Sequence, residues 1–251
     1  MNEPLPQAIP AATLIVLREG ADLPEILMVE RAQAMAFAAG ALVFPGGRID
    51  AGDHAIASGT GDEDEAAARV AAVRETIEEA GVAVGIAPLP DAERIATMRA
   101  ALHGGVGLAA ALAMVGGTLD LAALVPFARW RPAHRHLRIY DTRFYLARLP
   151  AGAAPATVDA TENTRLFWAS AHATLAMVDA GEAAVIFPTR RNLERLARFT
   201  SIDQAFADAA AHPIETVTPW IERQGGVDHL CIPDHLGYPV TAERLDTTRR
   251  G

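Results

Sequence analysis

Residues 74–82 read RETIEEAGV. The segment has the form of a helix end closed by Gly81, and it carries Glu75, Glu78 and Glu79 within its last turns. Acids at i, i+3 and i+4 share one face, where like charges repel by about 0.2–0.5 kcal/mol per pair. The C-terminal end of the helix dipole also favours cations over carboxylates. A stretch that breaks two local rules at once points to a functional site.

The rest of the chain sets bounds on that function. Its 251 residues suffice for one large domain, and 51% hydrophobic with 21% charged residues is a globular composition. The net charge of −9 argues against a nucleic-acid surface built on a basic field. The single cysteine, Cys231, excludes an internal disulfide and fits a reducing, cytoplasmic compartment. No basic residue precedes Arg18, so the first residues lack the charged start of a signal peptide. The Ala- and Gly-rich run 104–127 is broken by Gly116-Gly117 and contains Asp120, which reads as two short helices rather than a membrane span.

Apolar runs predict strands at 12–18, 25–31, 41–44, 137–149 and 165–170. Helices are expected at 62–80, across 91–127 in pieces, and at 171–180, 190–199 and 202–211. Thr189 reads as the N-cap of the helix following Pro188. Strands and helices alternating at both ends predict an α/β layered domain. The expected organisation is a single domain over 1–251, with a helical insertion at about 85–130 and a helical C-terminal extension at about 188–251.

On a helical wheel at 100° per residue, Glu78 and Glu79 fall within about 60° of Glu75. Ala68, Ala71 and Ala72 precede them on the same side, leaving room above that face, while Val70, Val73 and Ile77 form the opposite, aliphatic side. Upstream, ALVFPGGRIDAGD (41–53) runs an apolar strand into Pro45-Gly46-Gly47 and then a turn at Asp50–Asp53.

Together the two segments resemble the box of the Nudix hydrolases, G-x5-E-x7-R-E-U-x-E-E-x-G-U with U aliphatic. Gly47-x5-Asp53 matches its opening with Asp for Glu, and Arg74 to Val82 matches its close with Thr76 at an aliphatic position. His54 to Val73, twenty residues, replace the usual seven. A second register, Gly59-x5-Glu65, lacks the Pro-Gly-Gly strand exit. The segment LMVERAQAMAFAAGALVFPGG is similar, in part, to the signature of coenzyme A diphosphatases. Gly40 and Phe44–Gly47 fit it, whereas Ala36 and Met28-Val29 depart from it. The runs beginning ARWRPAHRHLRIYDTRFYLARLP and FPTRRNLERLA resemble the acyl-CoA diphosphatase branch.

The resemblance implies a Nudix-type α/β/α sandwich with a mixed sheet and an inserted helical cap. It implies that Glu75, Glu78 and Glu79 hold Mg²⁺ or Mn²⁺, for which hard oxygen ligands are suited. Arg74 would hold a box acid in place, while Gly46 and Gly47 would let backbone approach metal and phosphate. Glu78 or Glu162 would take a proton from the attacking water. In the basic run 134–143, Arg138 and Arg143 are candidate phosphate ligands. The implied partner is a small-molecule nucleoside diphosphate derivative, CoA or acyl-CoA by preference, with neither nucleic acid nor membrane and with a homodimer as an option. Two alternatives stay open: hydrolysis of ADP-ribose, NADH or nucleoside triphosphates, and a non-catalytic nucleotide-metabolite sensor. The insertion at about 85–130, with its charge-free run 104–119, is expected to fold as a short-helix cap flanking the active site and to offer an apolar groove; the alternative is an Ala-rich packing helix or a dimer contact away from the chemistry.

Overall fold

The computed structural model describes residues 7–33, 38–132, 139–159 and 162–246. In chain order the elements are β1 (Ile9–Arg18), β2 (Glu25–Arg31), β3 (Leu42–Val43), β4 (Gly46–Arg48), α1 (Ala51–Ala57), α2 (Glu63–Ala80), β5 (Ile86–Ala87), α3 (Ala92–His103), α4 (Leu108–Val115) and β6 (Thr118–Leu119). There follow β7 (Val125–Trp130), β8 (Tyr140–Arg148), β9 (Asn163–Ser170), α5 (Ala171–Asp179), α6 (Phe187–Leu196), α7 (Ile202–Ala211), β10 (Thr216–Val217), β11 (Trp220–Gln224), β12 (Val227–Cys231) and β13 (Ala242–Arg244).

The apolar run of β1 places it at the centre of an eight-stranded sheet ordered β10-β7-β8-β1-β2-β3, with β4 also on β1 and β9 on β2. β1 runs parallel to β8 from Ile9↔Tyr140 to Leu17↔Arg148 and antiparallel to β2 and β4, so the sheet is mixed. A strand's side chains alternate between faces. Leu14 and Val16 therefore enter one core with α2, α3 and α4, while Ile15 and Leu17 enter the other with α5, α6 and α7. Both layers are filled, which gives the α/β/α sandwich. Each fully buried Leu or Ile contributes about 1.5–3 kcal/mol through apolar burial. Among the described residues no helix is long and apolar enough to cross a membrane.

The helix α2 starts where Asp62 accepts a hydrogen bond from the Glu65 amide, with Glu63, Asp64 and Glu65 at the favourable end of the dipole. It stops at Gly81, which adopts φ 62° in the left-handed region. Ala68, Ala71 and Ala72 leave no open room above the acidic face: all three are fully buried, and their small side chains let α2 lie close on the sheet.

Three further expectations are corrected. Residues 125–130, expected as the end of the helical insertion, form β7, because Val125 and Trp130 pair with β8 and Phe127 is buried in the core, neighbours that propensity alone does not reveal. The insertion accordingly ends before Val125. The extension expected to be helical carries α6 and α7 but then turns into β10 and the separate sheet β11-β12-β13. Ile186, not Thr189, is the N-cap residue of α6, with Pro188 and Thr189 inside its first turn.

Candidate active site

The box begins where β4 leaves the sheet. Gly46 and Gly47 pair with Thr13 and Ala12 of β1, and a Cβ on Gly46 would lie 2.5 Å from the Ala12 carbonyl oxygen. A Cβ on Gly47 would overlap the Glu75 carboxylate. Glycine at 46 is required for β4 to lie against the β1 backbone, and glycine at 47 leaves the Glu75 carboxylate its place. Asp50 then opens α1, its amide donating to Asp53 Oδ2 at 2.9 Å. The loop insertion is absorbed by α1, the 58–62 connection and the extra N-terminal turns of α2.

Arg74 joins these pieces. Its Nε donates to Asp53 Oδ1 at 3.0 Å and its Nη2 to Asp53 Oδ2 at 2.9 Å, a two-pronged pair buried from solvent. Nη2 also donates to the Arg48 carbonyl at 2.8 Å, while Nη1 reaches Glu75 Oε1 at 2.8 Å and Glu78 Oε1 at 3.4 Å. Burial opposes the charge on Arg74, but the Asp53 hydrogen bond and the charges of Glu75, Asp53 and Glu78 outweigh it and hold the guanidinium above its ordinary pKa. The Asp53 pairing distinguishes the two registers: Gly47-x5-Asp53 delivers an acid to Arg74, whereas Glu65 pairs with Arg69 and Arg143.

Glu75 and Glu78 line a cavity of about 430 Å³, together with Gly46, Gly47, Arg31, Arg48, Asp50, Arg74 and Glu162. Trp130, Tyr140, Phe44 and Phe144 contribute an aromatic part of the wall, and Ile186, Pro188 and Thr189 bring the start of α6 to it. Glu79 lies behind this surface. Its Oε2 accepts from the Gly46 amide at 3.1 Å, and its Oε1 lies 3.9 Å from Arg31 Nη1. Burial lifts the Glu75 carboxyl to about 7 against the opposing pull of Arg74, with Glu78 and Glu162 adding to the rise. Burial and then Glu75 lift Glu79 to about 8, which the Gly46 amide only partly offsets.

Of the two expected phosphate ligands, only Arg143 lies among the described residues, and it is not brought to the cavity. Arg143 does not line it: Nη1 donates to the Asp64 carbonyl at 2.9 Å and Nε lies 3.6 Å from Glu65. Alternation along β8 sends Tyr140, Thr142 and Phe144 to the cavity and Arg143 to the other face. Arg138, with its neighbours His134, Arg135 and His136, falls outside the described residues. The insertion packs beside α2, with Ile95, Met98, Leu102 and Leu112 in the same core as Val73 and Ile77. It adds no residue to the cavity lining, so the expected apolar groove over the site is absent among the described residues.

The sequence reading assigned no role to Arg31, which lines the cavity beside Glu79, or to Asp53, the buried anchor of Arg74. Nothing in local periodicity marks the first. The second was visible only as the opening acid of the box.

As placed, no three acidic, histidine or cysteine side chains among the described residues stand close enough to hold a metal ion together. The donors nevertheless fit a hard divalent cation in kind. They are all carboxylate oxygens, and Glu75 and Glu79 are buried deeply enough to favour protonation when no cation compensates them. Glu75 and Glu78, backed by Glu79, would hold such an ion.

The fold is a Nudix-type α/β/α sandwich with a mixed sheet. No family model matches the chain. Among solved structures, the NUDIX hydrolase from Alicyclobacillus acidocaldarius is 29% identical, with 80% of this chain and 96% of that one covered at a TM-score of 0.68. That likeness supports reading this chain as an enzyme of the same hydrolase type. Two remoter structures, a C. elegans Ap4A hydrolase binary complex (14% identical, 81% and 96% covered, TM-score 0.38) and the NUDIX domain of Shewanella oneidensis NrtR complexed with ADP ribose (13%, 77% and 88%, 0.43), are too distant to carry an argument.

Proposed function

We propose that the chain is a metal-dependent hydrolase that cleaves the diphosphate of a nucleoside diphosphate linked to a second moiety, with CoA or acyl-CoA as the preferred substrate. The observation that carries the reaction type is the convergence of Glu75, Glu78 and Glu162 with the Gly46-Gly47 backbone on one cavity. The CoA preference rests on the partial signature through Gly40 and Phe44–Gly47. The volume of about 430 Å³ lies within the range of small-molecule sites.

In this reading a bound Mg²⁺ or Mn²⁺ neutralises the diphosphate and makes water a better nucleophile. The chain's own residues do the positioning. Asp53 locks the Arg74 fork, and Arg74 in turn fixes the Glu75 and Glu78 side chains. Glu78 or Glu162, both on the cavity wall, accepts the proton of the attacking water. Arg31 and Arg48 on the same wall offer positive charge to the leaving phosphates. The aromatic portion of the wall takes the less polar part of the substrate.

The test is a panel of CoA, acyl-CoA, ADP-ribose, NADH and nucleoside triphosphates with Mg²⁺, with products identified by mass spectrometry. Release of the two phosphomonoester halves of CoA, faster than any other turnover, is expected. Faster cleavage of ADP-ribose or NADH would overturn the substrate preference, and no turnover of any diphosphate would overturn the enzymatic reading.

A further inference from the structure

The end of α2 poses an electrostatic problem that its own sequence does not solve. Its last turn contains Glu78 and Glu79 and no basic residue. The final carbonyls of a helix also lack intrahelical partners and need them from elsewhere. Here each is accounted for. The Thr76 and Ile77 carbonyls accept from the Val82 and Gly81 amides at 3.5 and 2.9 Å, and the Ala80 carbonyl accepts from the Thr157 amide at 2.9 Å. The remaining two belong to the acidic residues themselves, and Arg99 of the insertion takes both. Its Nε donates to the Glu78 carbonyl at 2.8 Å and its Nη2 to the Glu79 carbonyl at 2.9 Å.

The guanidinium is itself held. Nη1 donates to Thr157 Oγ1 at 2.8 Å, and His103 Nε2 lies 3.1 Å from the same Glu78 carbonyl. A Cβ at Gly81 would come within 3.4 Å of Arg99 Nη1 and 3.1 Å of Thr157 Oγ1, so the whole junction is tightly packed. Within α3 the spacing separates two tasks. Ile95, Met98 and Leu102 are buried in the core with Val73 and Ile77, while Arg99 and His103, four apart, lie over the end of α2.

We infer that Arg99 is a positioning residue: its fork fixes the terminal turn of α2 and thereby the direction in which Glu78, backed by Glu79, presents its carboxylate to a divalent cation. The inference rests on the metal-dependent reading of the site, and it gives the inserted helices a role in place of a substrate groove. The fork matters here as well as the charge, because two backbone carbonyls on successive residues are engaged by two different nitrogens.

Two measurements on metal-free protein test it without recourse to turnover. Mn²⁺ binding, followed by the paramagnetic signal of free Mn²⁺, is expected to weaken by about tenfold in Arg99→Lys, which keeps the charge but loses the fork. Arg99→Gln, which keeps donors without charge, should weaken it as well. Leu196→Ala, a core truncation on the far side of the sheet, lowers stability and should leave Mn²⁺ affinity at the wild-type value. Amide exchange at Gly81 and Val82 should accelerate in both Arg99 variants. Wild-type Mn²⁺ affinity in Arg99→Lys, or tighter binding in Arg99→Gln, would overturn the inference, since either would leave charge alone as the role of Arg99. Should the wild-type chain bind no Mn²⁺, the metal-dependent reading falls by itself. Unchanged exchange at Gly81 and Val82 would then still refute the fixing of the terminal turn, whereas faster exchange would sustain that fixing alone and overturn its link to a cation.

Discussion

Replacing Glu79 by Gln separates the cost of the acidic site from its use. In the metal-free protein, burial and the neighbouring Glu75 raise the Glu79 carboxyl from its ordinary 4.5 to about 8. A raised carboxyl keeps its proton to higher pH in the folded state than in the unfolded chain. Rising pH therefore removes stability across the window between those two values, and the loss is complete above about 8. At 1.36 kcal/mol per pH unit the displacement corresponds to about 5 kcal/mol. Coupling to Glu75 and structural relaxation reduce the measurable part to a few kcal/mol. A glutamine at this position would carry no charge, and its side-chain oxygen can still accept from the Gly46 amide. Melting in a chelator should thus show Glu79→Gln equal to wild type at pH 5 and more stable by about 5–10 °C at pH 9. Saturating Mg²⁺ should erase that advantage, and the variant should lose metal-dependent turnover. A stabilisation of equal size at pH 5 and pH 9, or a variant less stable at pH 9, would refute the reasoning.

Other substitutions test the remaining links. Asp53→Asn leaves a buried guanidinium short of its counter-charge and should cost about 3 kcal/mol in urea denaturation; a loss below about 1 kcal/mol would deny Asp53 its anchoring role. Gly46→Ala and Gly47→Ala should part company. The first drives a methyl into the β1 backbone and should destabilise the fold, while the second displaces the Glu75 carboxylate and should lower kcat/KM by about a hundredfold with a normal circular dichroism spectrum. Met114→Asp, on an exposed position of α4, should leave both melting and turnover unchanged, whereas Leu112→Asp, in the core with α2, should sharply lower the melting temperature. Selective loss of long-chain acyl-CoA hydrolysis in Met114→Asp would restore the groove that the cavity lining does not show.

The acidic helix end, the Pro-Gly-Gly strand exit and the apolar runs of β1, β2 and β9 were legible in the sequence. Each rests on spacing within one element, and such periodicity survives without knowledge of neighbours. The same was true of α7, whose bounds follow from Ser201, the side chain of which accepts from the Gln204 amide. What the sequence left open depended on residues far apart in the chain. Ala-rich sequence near β7 looked helical until β8 and β10 supplied partners on both sides. Arg143 looked like a phosphate ligand because charge is visible in sequence and strand facing is not. The long gap inside the box allows two registers; the Pro-Gly-Gly strand exit favours Gly47 in the sequence, and the meeting of Arg74 with Asp53 across twenty-one positions agrees with it. By itself the sequence determined that three glutamates crowd the end of one helix, since a fixed period of 3.6 residues places them there. Only the tertiary structure decided how that end is tolerated: Arg99, twenty positions beyond Glu79, donates to its last carbonyls, an arrangement that exists only when the two helices pack side by side.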